Sequence, residues 1–392
     1  MFRNAAILLA LALLVGACTA NEEEAPGDGR LVVIDDGGNV VTLEPDGTDV
    51  VVAADDGGGR VTYFQPIWSP DGSSISVTRS DAGTFSIEII DADTGERAST
   101  VTASNAFFQY WSPDGSKLAT LAATAPGELG LDLFTIVEGS DPVRIADGQP
   151  LYFSWSPDSS NVVGHVGNAP LDFLLTDAAS PEFGAPGSFS APQWTEDGII
   201  HIALVSRRQQ LTRTQLDGES EPIASTLGGA IFTATPDGQR IAVLPVATED
   251  VGLSVSAQQI PTLPGDRLMV VDADGGSFVE VESETVVAFS WDPTGQRLLV
   301  LELTEAGAFR WRVWEDGESE TFTDFAPSPG FLRDLVPFFD QYAQSMTLWS
   351  PDGTAFAFPG SVGGVDGIWR QDLGGAEPVR VTGGTWVAWS SG

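Results

Sequence analysis

The chain reads as an all-β protein, a single eight-bladed β-propeller whose last blade is closed by strands from both ends of the sequence. Three observations predict this. A Trp-Ser-Pro-Asp-Gly motif recurs at spacings of 39–44 residues, stretched to 57 and 58 in two places, and the base spacing is the length of one four-stranded blade. Each copy is followed by a short β-branched run and a turn rich in Gly and Asp, the pattern of repeated antiparallel strands. The last copy is a lone first strand, and three unassigned strands stand near the start of the chain.

The motif appears as Trp68–Gly72, Trp111–Gly115, Trp155–Ser159, Trp194–Gly198, Ala234–Gly238, Trp291–Gly295, Trp349–Gly353 and, truncated, Trp389–Gly392. Pro presets φ, Asp caps the turn and Gly takes the positive-φ position, so each motif is a tight turn between two strands. The Trp before it ends the inner strand and fills space between blades. Second strands follow at Ile75–Thr78, Lys117–Leu121, Arg240–Leu244 and Arg297–Leu301. Hairpins follow in turn, as in Ser86–Asp91 through Ala92–Gly95 and Leu268–Asp272 through Ala273–Gly276. Closure comes from Arg30–Asp35 as a second strand and from Val40–Gly47 turning into Asp49–Val52 as third and fourth. A ring sewn from both ends leaves no open edge to invite aggregation. The alternative is seven blades with a loose terminal hairpin.

The first residues set the compartment. Arg3, the apolar run Ala5–Val15 and the sequence Val15-Gly16-Ala17-Cys18 form a secretory signal. The last four residues resemble a bacterial lipobox, which implies cleavage before Cys18 and lipidation of that cysteine. Cys18 is the only cysteine, so the chain has no disulfide framework. The expected organisation is a signal peptide at 1–17, a lipidated Cys18 with a polar, acidic tether at 18–29, and the propeller at 30–392. The expected location is outside the cytoplasmic membrane, held to it only through lipid on Cys18.

Composition narrows the partners. With 18 basic and 55 acidic residues the net charge is −37. Such a surface repels nucleic acid and anionic headgroups, and favours cations, basic peptides or basic protein faces. A monomer is expected, with a protein or peptide as its partner.

The Trp-Ser-Pro-Asp-Gly turns, each followed by an apolar strand and a second hairpin, resemble the TolB-type, WD40-like propeller repeat from about residue 30 onward. The resemblance implies the propeller fold and a bias toward protein binding. It carries over no catalytic residue. Similar blades occur in dipeptidyl-peptidase-IV-like and prolyl-oligopeptidase-like enzymes, beside an α/β-hydrolase domain that these repeats leave no room for.

Chemistry-bearing motifs are sparse. The two histidines, His165 and His201, lie in or beside second strands and read as packed or surface residues. One Cys and two His fall short of the donor set of a conventional zinc site, and no Gly-x-Ser-x-Gly elbow is present. No cofactor is expected. Calcium is an option at Asp91-Ala92-Asp93-Thr94-Gly95-Glu96 and Asp272-Ala273-Asp274-Gly275-Gly276, which offer alternating oxygen ligands near a glycine but lack the full twelve-residue loop.

Excess sequence falls at Val246–Asp266, between the second and third strands of blade five. It falls again at Ala326–Met346, placed between blades six and seven. Strand order puts both on the face opposite the motif turns, and long loops in compact domains are usually functional. The second mixes aromatic and charged residues, as interface anchors do, or as a lid packed over the propeller would. Arg207 and Arg208 close a connection on the same face. The candidate binding residues are therefore Arg207, Arg208, Arg333, Asp340 and Tyr342, expected to project toward a partner. Phe107, Phe108 and Tyr152 open first strands and read as core. The function expected is a binding or scaffold module for a protein, peptide or glycan. The alternative is a hydrolase or lyase with its groups at the channel mouth.

Overall fold

A computed structural model describes residues 29–102, 106–125, 128–135, 142–175, 180–188, 190–246 and 261–391. The signal and lipidation residues, Cys18 among them, lie outside the described residues, as does most of the blade-five insertion.

The tight motif turns drive the architecture. In the first copy the Ser69 hydroxyl donates to Asp71 at 2.6 Å. The Ser73 amide also donates to Asp71, and the Ser74 amide to Ser69 Oγ. The same ring recurs at Ser112/Asp114, Ser156/Asp158, Thr235/Asp237 and Ser350/Asp352. In blade six the roles are exchanged: Asp292 holds the serine position and receives the Thr294 hydroxyl together with the Gln296 and Arg297 amides. Gly72 sits at φ 69° and Ser159 takes the equivalent position at φ 59°. The Ser69, Ser112 and Ser156 hydroxyls hold Asp71, Asp114 and Asp158 below the usual carboxylate range. At Asp237 and Asp352 burial pushes upward, and the Thr235 and Ser350 hydroxyls with nearby amides outweigh it.

Eight antiparallel sheets result, seven of four strands and one of three among the described residues. Blade one runs Val61–Trp68, Ser74–Asp81, Thr84–Asp91 and Arg97–Thr102. The ring closes as expected, with eight blades. The inner strand of blade eight, Trp386–Trp389, pairs with Leu31–Ile34 in the register Leu31 with Trp389 and Ile34 with Trp386. Val40–Leu43 and Val51–Ala54 complete that blade. Phe108 is core as expected, whereas Phe107 is exposed on the alternate side of its strand.

Motif tryptophans stitch neighbouring blades together. The Trp68 indole N–H donates to the Ala388 carbonyl at 3.2 Å, Trp155 to Tyr110 at 3.2 Å, Trp291 to Thr233 at 3.0 Å and Trp349 to Ser290 at 3.5 Å. Each acceptor is the residue just before the motif Trp position of the preceding blade. Trp111 is buried with no partner for its indole N–H. A neutral hydrogen bond contributes about 1 kcal/mol net. Trp155→Phe should therefore cost about 1 kcal/mol more stability than Trp111→Phe, measured by denaturant unfolding.

Candidate functional site

The aromatic insertion lies inside the first strand of blade seven, rather than ahead of it. Ala326 and Pro327 pair with Ser361 and Gly360 of the second strand Ala355–Val362, and the strand resumes at Trp349, opposite Phe356. Residues between leave the sheet and fold as three short helical turns, Phe331–Leu335, Val336–Phe338 and Phe339–Tyr342. Phe331, Leu335, Phe339 and Tyr342 follow helical spacing, giving one apolar face, and all four are buried. The segment leaves the sheet at the face opposite the motif turns, but it turns inward and does not project.

The turned-in segment fills the central channel. Phe339 meets Phe289 of blade six edge-on at 4.8 Å, and Tyr342 meets Phe108 of blade two at 4.9 Å. Its polar groups find partners on other inner strands or just ahead of them. The Gln341 side chain accepts from the Phe153 amide at 2.9 Å and donates to the Phe153 carbonyl at 2.8 Å, as an added strand would. Asp340 accepts from the Ala191 amide at 2.9 Å, and Gln344 donates to the Pro192 carbonyl. The Gln65 amide of blade one donates to the Tyr342 hydroxyl. Burial raises the Tyr342 phenol pKa. Burial also raises Asp340 above its ordinary value of 3.8, only partly offset by the Ala191 amide.

The candidate residues therefore divide. Asp340 and Tyr342 come together inside the channel, with Gln341 between them. Arg333 stays outside, its side chain 68% exposed and paired with the adjacent Asp334. Arg207 is exposed in a tight turn at φ 66°, followed by the half-buried Arg208. Both histidines are buried. Burial lowers His201 to about 4, with His165 adding a smaller push, and its ring meets Thr214 and Phe183. Among the described residues no group of three or more His, Cys, Asp or Glu is arranged to hold a metal. Asp91 spends one oxygen on the Asp93 and Thr94 amides of its own turn, and Asp274 receives the Gly276 amide.

The plug stops short of the motif face, and a cavity of about 450 Å³ opens there. Its walls are Trp68, Tyr110, Trp111, Trp194, Trp291 and Trp389 with four motif prolines, and its floor is Ala343–Thr347. Among the described residues no Lys, Arg or His lines it, and the one carboxylate, Asp292, is committed to its own turn. Two arginines outside the lining sit over rings of its wall: Arg240 lies 5.1 Å from the Trp291 centroid and Arg370 5.9 Å from that of Trp389. The sequence pattern showed these tryptophans as spacers between blades. Their convergence around one opening follows only from closing the ring.

The fold and this site define an eight-bladed propeller with a self-filled channel and an aromatic vestibule. Among solved structures it is similar to a eukaryotic initiation factor, at 11% identity over 92% of this chain and 98% of that one, with a TM-score of 0.56. It is also similar to an oligogalacturonate lyase in complex with manganese, at 15% identity over 91% and 86% of the two chains, TM-score 0.46. TolB from Acinetobacter baumannii matches at 15% identity over 74% of this chain and 62% of that one, TM-score 0.42. These likenesses are of fold. No family model and no curated protein sequence matches the chain.

Burial separates the roles of the insertion residues. Tyr342→Ala should cost about 3–5 kcal/mol, as other large aromatic truncations in cores do, while Arg333→Ala should stay within about 0.5 kcal/mol. Calorimetry on the two variants checks this. Because burial raises the Asp340 pKa, its contribution to stability is fully present below pH 3.8 and is lost as pH rises through the folded value. Asp340→Asn should accordingly raise the melting temperature at pH 7 and leave it nearly unchanged near pH 3.

Proposed function

We propose that this protein is an extracytoplasmic, lipid-anchored binding propeller that takes a protein or peptide segment at its motif-face vestibule. One observation carries the reading. The channel is filled by the chain itself, and what stays open is an aromatic cup of about 450 Å³ with no cationic lining, a volume typical of ligand pockets. The motif turns whose prolines line the cup carry Asp71, Asp114 and Asp237, each held below the usual carboxylate range with a turn hydroxyl bonded to it. Aromatic rings with carboxylates on the adjoining turns suit arginine or lysine side chains through cation–π contact. The existing stacks of Arg240 and Arg370 on motif tryptophans follow the same chemistry. Hydrolase or lyase chemistry would need free acid and base groups at the mouth, and Asp292 is bound up in its turn while His165 and His201 are buried elsewhere.

The test is a tryptophan-fluorescence titration with a hexa-arginine peptide at 0.15 M salt, beside a hexa-glutamate peptide and a neutral oligosaccharide. The reading expects saturable binding of the basic peptide alone. Trp194→Ala and Tyr110→Ala should weaken it by about 2 kcal/mol each, the size of an interface anchor. Binding unaffected by both variants would overturn the vestibule as the site. Saturation by the oligosaccharide alone would make the propeller a glycan binder.

A further inference from the structure

Asp340 is a buried acid without a counter-charge. It is 6% exposed. Its carboxylate is held only by main-chain amides, those of Ala191, Gln341 and its own residue, and among the described residues no Lys, Arg or His acts on it. Buried charges are ordinarily paired, because desolvation penalises them. The surrounding elements offer no cation. From blade three, Tyr152 feels the Asp340 charge and stands opposite His165, which burial keeps below its ordinary value. The neighbouring inner strands Ala230–Ala234 and Thr285–Trp291 carry no charged residue. On its own segment Arg333 is paired with Asp334.

The same acid stands directly behind the vestibule. Asp340 belongs to the turn Phe339–Tyr342, and the vestibule floor begins at Ala343. The Ala343 amide donates to the Phe339 carbonyl at 2.7 Å and the Met346 amide to that of Tyr342 at 3.0 Å, so the turn runs on into the floor. Gln344 of the floor donates to the Asp340 and Pro192 carbonyls. Pro192 in turn joins Ala191, which holds the carboxylate, to Gln193 of the wall. At about 1.5 Å per helical residue, Asp340 lies roughly 6 Å along the turn from Gln344.

We propose, resting on the vestibule reading above, that Asp340 is the counter-charge for the cation held there, and that a basic side chain binds together with ionisation of this carboxyl. Opposite charges separated by one layer of residues interact strongly where water is excluded. The cation favours the carboxylate, and by linkage the carboxylate favours the cation to the same degree. Burial holds the free carboxyl above its ordinary value of 3.8, and a bound cation draws it down again. Binding therefore releases a proton at pH values between the two, and affinity rises with pH until the free protein is ionised. A group that weakens the free fold and strengthens the complex is characteristic of a binding site.

The test titrates the native protein and its Asp340→Asn variant with the hexa-arginine peptide from pH 5 to pH 9 at 0.15 M salt, followed by tryptophan fluorescence. Turn hydroxyls keep Asp71 and Asp114 low, and burial holds His201 near 4. Glu88, another carboxyl raised by burial, is paired with Arg97 in blade one and is common to both proteins. The native protein should bind at least roughly fivefold tighter at the upper end, releasing up to about one proton per peptide in weak buffer. The variant keeps an acceptor for the Ala191 amide but no charge. Its affinity should vary by no more than about twofold and match that of the native protein at pH 5. The same pH profile in both proteins, or a flat profile in the native one, would overturn the role of Asp340 and leave the vestibule as the site. Absence of peptide binding by the native protein at every pH would overturn the vestibule reading, and this inference with it.

Discussion

Eight inner strands around one axis leave a hole, and the rest of the structure depends on how it is filled. Propellers of this size enclose a central channel, whereas protein interiors pack to crystal-like density. Here the chain fills the hole by interrupting one inner strand. The neighbouring strand Ala355–Val362 runs through unbroken, so blade seven keeps its sheet while the strand beside it makes a detour. The detour meets the unpaired inner edges of the other blades with matched groups: the Gln341 amide for Phe153, the Asp340 carboxylate for Ala191, the Tyr342 hydroxyl for Gln65. Buried polar groups left without such partners would cost about 1–3 kcal/mol each.

Filling the channel from one side also makes the two faces unlike. One face is sealed by the departing segment and carries Arg207 and Arg333. The other keeps an aromatic cup walled in part by the prolines of four motif turns. The same short motif supplies the turn, the stitch between blades and the wall of the cup, because its Trp ends the inner strand at the rim of the axis. The Ser–Asp hydrogen bonds that tighten the turns at Asp71, Asp114, Asp158 and Asp352 also lower the carboxyl pKa of those aspartates.

Much of the fold was legible in the sequence because each blade is a local pattern. Pro-Asp-Gly turns are determined by their own residues, and Ala234–Gly238 was readable despite the missing Trp since the turn chemistry survives. Closure was legible because the Trp386–Trp389 and Leu31–Ile34 runs are complementary fragments of a known unit. The candidate site was less legible. Ala326–Pro327 is too short to signal a strand, so the sequence pattern puts the insertion between blades instead of within one. Its mixture of Phe, Tyr, Asp and Arg suits an interface and a plug equally. What separates them is contact with Gln65, Phe108, Phe153, Ala191 and Phe289, residues far away in sequence and brought together only by the ring. The vestibule was invisible for the same reason: a cavity is a property of how blades converge, and no single blade encodes it.

The account stands most directly on the claim that the channel segment is part of the folded core. Replacing residues 328–346 by a short Gly-Ser linker and following thermal unfolding by near-ultraviolet circular dichroism tests it. An emptied channel should lower the melting temperature by at least roughly 10 °C or abolish the cooperative transition, given the cost of large core cavities. A variant that melts cooperatively at the temperature of the full chain would show that the segment is a dispensable lid and would contradict the account.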